Sequence, residues 1–64
     1  MNYYYTSIAS EERQTAIRHL RLAHAHHMQA ADEAEEMGKD EEASYWLGRA
    51  LDSHQRLAAL GETL

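Results

Sequence analysis

The chain has 64 residues, no cysteine, no proline and a net charge of −5 with its histidines neutral. So short a chain forms one domain at most and buries only about 60% of its unfolded surface, and without cysteine it has no disulfide, thiolate metal site or cysteine nucleophile. The negative balance repels a phosphate backbone, which argues against direct nucleic-acid binding and favours a protein partner with a basic surface.

In chain order, residues 1–9 read as an irregular N-terminal arm carrying Tyr3, Tyr4 and Tyr5. The start Met1–Tyr5 lacks the basic flank and apolar stretch of a signal peptide, and no later run is apolar enough to span a membrane; the expectation is a cytoplasmic protein without membrane contact. Ser10 is the expected N-cap, because Glu11 and Glu12 follow into a first turn where free amides favour negative charge. From there Ile17, Leu20, His24, His27, Ala31 and Ala34 recur at spacings of three and four, one face of a helix over about 10–37.

Gly38 punctuates the pattern, being able to take the left-handed conformation that closes a helix, and Asp40 then offers a new N-cap ahead of Glu41 and Glu42. The second stripe, Ala43, Leu47, Ala50, His54 and Leu57, predicts a helix over about 40–60, closed by Gly61. Gly48 inside it reads either as a close approach of another backbone or as a tolerated defect. So short a connection makes the helices antiparallel neighbours. The predicted fold is all-α, a two-helix hairpin over 10–61 with a tail at 62–64. Its register sets Ala34 near Ala43, His24 near His54 and Leu20 near Leu57. The stripes are wider than one seam, leaving Leu22, Met28, Trp46, Leu51 and Leu60 poorly covered; a homodimer forming a four-helix bundle would cover them.

Residues 24–51 also hold Ala31, Gly38, Ala43 and Ala50 at the spacing of the small residues and turn glycine of a tetratricopeptide repeat. The segment Gly38-Lys39-Asp40-Glu41-Glu42-Ala43 looks like that family's turn, while His27 stands at its tryptophan position and Ala30 at its leucine position. The resemblance implies a protein-binding helical hairpin without catalytic residues.

Five histidines are the most unusual feature of the composition. His24 and His27 have the helical spacing that lets two imidazoles approach one ion, and the register brings His54 across from His24. These three are the candidate metal ligands, with the fourth position open. The plainer reading makes them partly buried, hydrogen-bonded core histidines, and protonating such a pair is then unfavourable. No carboxylate, imidazole or serine stands in a constellation with a nucleophile or a phosphate loop. No catalytic residue and no cofactor is therefore expected, and the chain reads as a non-enzyme.

Charge distribution gives the stronger signal. Asp32, Glu33, Glu35, Glu36, Asp40, Glu41 and Glu42 cluster around the hairpin tip, offset only by Lys39, while Arg13, Arg18, Arg21 and Arg56 lie at the open end. A negative tip steers a basic surface toward it; the plainer account is a solvated loop. The functional expectation is a small interaction or regulatory module, inhibitory in one version. It binds a macromolecular partner through Glu35, Glu36, Glu41 and Glu42 for steering, and through the uncovered Trp46 and Leu47-side surface or the arm of Tyr3, Tyr4 and Tyr5 for grip. The alternative is a metal- or proton-responsive helical protein using the inner histidines.

Overall fold

The computed structural model describes the backbone of residues 2–64 and the side chains of residues 10–64. Helix α1 spans Asn2–Glu36 and helix α2 spans Asp40–Ala59, packed side by side in opposite directions, with no strand among the described residues. Both closures are made by glycine. Gly38 has φ +72° and Gly61 φ +78°, a region in which a Cβ is strained. At the tip, Gly38 N donates to Glu35 O at 3.0 Å and Lys39 N to Ala34 O at 2.8 Å. At the far end, Gly61 N donates to Ala58 O at 2.9 Å and Glu62 N to Leu57 O at 3.0 Å. Each pair forms a Schellman closure, which satisfies carbonyls that the helix end would otherwise orphan.

The N-terminal expectations need correction. α1 begins at Asn2 and runs through Ser10, so residues 2–9 are helical rather than an irregular arm, and Ser10 is not a cap. No glycine or proline lies between Asn2 and Ser10, and once a helix is nucleated each further residue adds a hydrogen bond at little cost. The side chains of Tyr3, Tyr4 and Tyr5 lie outside the described residues. The N-cap of α2 is Lys39, with no side-chain cap bond; Asp40 enters the helix and joins Glu41 and Glu42 in its first turn. There the positive end of the helix dipole favours all three carboxylates.

The core is thin. Ile17, Ala31, Ala34, Ala43, Ala50, Leu57 and Ser53 are buried, and only Ile17 and Leu57 among them are large. Alanines line the tip end of the seam and let the backbones approach, while Ile17 and Leu57 fill the open end. On α2 the inner stripe is Ala43, Trp46, Ala50, Ser53, Leu57 and Leu60, and Leu47 and His54 are exposed. The expected stripe shares Ala43, Ala50 and Leu57 but is turned by one residue on the alternate positions. The observed turn places Trp46 and Leu60 half-buried, correcting the expectation that both stay uncovered. Covering indole and leucine surface while exposing an imidazole is the favourable exchange. Leu22, Met28 and Leu51 are exposed as expected.

Because α1 has 35 residues and α2 has 20, the N-terminal part of α1 projects beyond its neighbour. The C-terminal tail is tied to α1 by two arginines. Arg13 donates to Leu60 O and pairs with Glu62 at 3.1 Å, and Arg21 pairs with Glu62 at 3.2 Å and donates to Thr63 O at 3.1 Å.

Candidate functional site

The histidines do not converge as a set of three. His24 and His54 face each other across the seam, ring centroids 6.5 Å apart and tilted by 51°. This is the predicted register. His27, one turn tipward of His24, instead stacks on Trp46 at 5.6 Å and 25°. Its Nδ1 is buried without a hydrogen-bond partner. Among the described residues no group of three or more histidine, aspartate or glutamate side chains is placed to hold a metal ion.

Trp46 is occupied within the hairpin. One face covers His27, and Tyr45 meets the indole in a T-shaped contact with ring centroids 5.0 Å apart, the geometry that sets a ring edge against a π face. Tyr45 itself is mostly exposed. Next along the chain from His27 and Trp46 stand exposed apolar neighbours, Met28 and Leu47, with Leu51 one turn further on α2.

Those neighbours form a face that sequence reasoning did not assemble. Counting four residues tipward from each member of the His24–His54 pair brings Met28 level with Ala50, so Leu47 and Leu51 flank Met28 in height. His24 and Met28 lie on one side of α1, while Leu47, Leu51 and His54 share the neighbouring side of α2. Met28, Leu47 and Leu51 are 38%, 42% and 56% exposed. Leu22, 60% exposed, points the other way from α1. The sequence leaves Met28 and Leu51 uncovered and offers a Leu47-side surface, but its stripe also turns Leu47 and His54 inward, so the Leu47–Leu51–His54–Ala58 spacing does not read as one face.

The acidic tip is as the sequence places it: Asp32, Glu33, Glu35, Glu36, Asp40, Glu41 and Glu42 are all exposed. At the open end the positive charges are partly answered by Glu62, and by Asp52, which pairs with Arg56 at 3.1 Å. A concavity beside Glu11, Thr15 and His19 is an open flank of one helix and holds no nucleophile set against a base. No helix of the described residues is long and apolar enough to cross a membrane.

The architecture thus defines a class: a small all-helical hairpin without a group of three or more candidate metal ligands among its described residues. Compared with protein-family models, with curated proteins and with solved structures, the chain matches none.

Proposed function

We propose that the protein is a non-catalytic interaction module that associates with itself and binds a macromolecular partner carrying a basic surface. The observation that carries this reading is the exposed Met28, Leu47 and Leu51 surface on a hairpin whose large buried side chains, among the described residues, are Ile17 and Leu57. A chain with so small a core gains more from covering that surface than it can gain internally. The acidic tip supplies direction rather than strength, because exposed ion pairs contribute about 0–1 kcal/mol each and are screened by salt. Apolar burial supplies the affinity. The tetratricopeptide-like spacing of Ala31, Gly38, Ala43 and Ala50 points to the same class of activity.

The test is to tag the chain in its own cells and identify what it holds, beside two variants. Reversing Glu35, Glu36, Glu41 and Glu42 to lysine is expected to slow association with the partner and flatten its salt dependence. Replacing Leu47 and Leu51 by aspartate is expected to speed dissociation. A captured set identical across all three proteins refutes the reading.

A further inference from the structure

The face centred on Met28 is self-complementary. Arg21, His24, Met28, Asp32 and Glu35 follow one another at spacings of three, four, four and three, which keeps all five on one side of α1. The spacing is symmetric about Met28, and the charge is antisymmetric: a cation and an imidazole toward the open end, two carboxylates toward the tip. Arg21, Met28, Asp32 and Glu35 are exposed, and His24 is half-buried. Arg21 uses its Nε and Nη2 on Glu62 and Thr63, and its Nη1 makes no bond among the described residues.

We propose that a second copy of the chain docks antiparallel on this face, with the twofold axis passing at Met28. The twofold operation then brings Met28 against its own copy. It sets Arg21 of each subunit opposite the other's Glu35, and His24 opposite the other's Asp32, each twice. Leu47, about three residues tipward of the level of Met28, and Leu51, about one residue toward the open end, lie beside the axis and add their exposed apolar surface to the same interface. A parallel arrangement instead stacks two acidic tips and sets Arg21 against Arg21, so the charge pattern selects the antiparallel one. This inference rests on the self-association proposed above and adds the face and the direction.

The chain has no native cysteine, so single cysteines report geometry cleanly. Both Met28 and Leu22 are surface positions, and their replacement leaves the core intact. Under mild oxidation Met28→Cys is expected to cross-link to completion as a dimer at micromolar concentration, and Leu22→Cys to remain uncross-linked. Sedimentation of the unmodified chain runs alongside. Glu35→Arg is expected to raise the dimer dissociation constant about tenfold, since the altered contact occurs twice, whereas Glu33→Arg, on the opposite side of α1, leaves it within about twofold. A dimer in sedimentation whose Leu22→Cys form cross-links as fast as the Met28→Cys form, or whose dissociation constant responds equally to Glu33 and Glu35, overturns the antiparallel face and leaves self-association standing. A monomer that never cross-links overturns both.

Discussion

Two residues show where this chain departs from maximal stability. Gly48 lies inside α2, and a Cβ built there meets no atom within 4 Å. No backbone approaches it, so the glycine is a tolerated defect and Gly48→Ala is expected to stabilise the fold by up to about 1 kcal/mol. Thermal melts should show this as a rise of about 4–8 °C for a domain of this size; an unchanged midpoint would mean that something covers Gly48 in the assembled protein. His27 is the second case. Its buried Nδ1 lacks a partner while its ring stacks on Trp46. An orphaned polar atom costs about 1–3 kcal/mol, and methionine keeps similar bulk and a favourable contact with the indole. His27→Met is accordingly expected to raise the urea midpoint. A lower midpoint would show that the imidazole–indole stack outweighs the unpaired nitrogen.

At the scale of elements, the turns carry more information than the stripes. Gly38 and Gly61 were legible as closures because few residues accept the left-handed conformation, and both adopt it. Gly38→Ala should therefore cost about 1 kcal/mol through backbone strain alone, since nothing crowds the added methyl. A denaturation curve unchanged by this substitution would contradict the closure. The start of α1 was less legible: Ser10 with two glutamates has the chemistry of a cap, and Asn2 to Ile8 are weak helix formers, yet the stretch holds no glycine or proline to stop a helix already nucleated. The rotation of α2 was illegible for another reason. Ala43, Ala50 and Leu57 fit two stripes, and the alternate positions pitted Trp46, Ser53 and Leu60 against Leu47, His54 and Gly61. The polar members, Ser53 and His54, made the choice look even by polarity. Size and total apolar area decided it, because a small serine passes through a close helix crossing and the indole covers more surface than Leu47. The candidate site suffered accordingly: the His24–His54 contact survived, since both stripes bring the two helices to the same heights, but the Leu47–Leu51 face became visible only after the turn was known.

For the whole molecule the question is whether 64 residues fold alone. The hairpin extends 56 Å along its axis and only 15 by 14 Å across, so it is one helix pair thick and has a single seam. A lone hairpin makes a definite forecast for Leu51, which is 56% exposed. Leu51→Glu should then change stability by no more than about 0.5 kcal/mol, as at any free surface position, and the melting midpoint should not depend on protein concentration. Self-association through the Met28 face makes the opposite forecast. The unmodified chain should melt at higher temperature as concentration rises, because the folded dimer is favoured over unfolded monomers by mass action. Leu51→Glu should place an unpaired carboxylate in the covered surface, lower the midpoint by many degrees at high concentration, and abolish the concentration dependence. The same substitution at Leu22, on the far side of α1, should do neither. Melts of the three proteins over a hundredfold range of concentration separate these cases. A concentration-independent midpoint in the unmodified chain, with Leu51→Glu as stable as its parent, would leave the hairpin a stable monomer and remove self-association from its function.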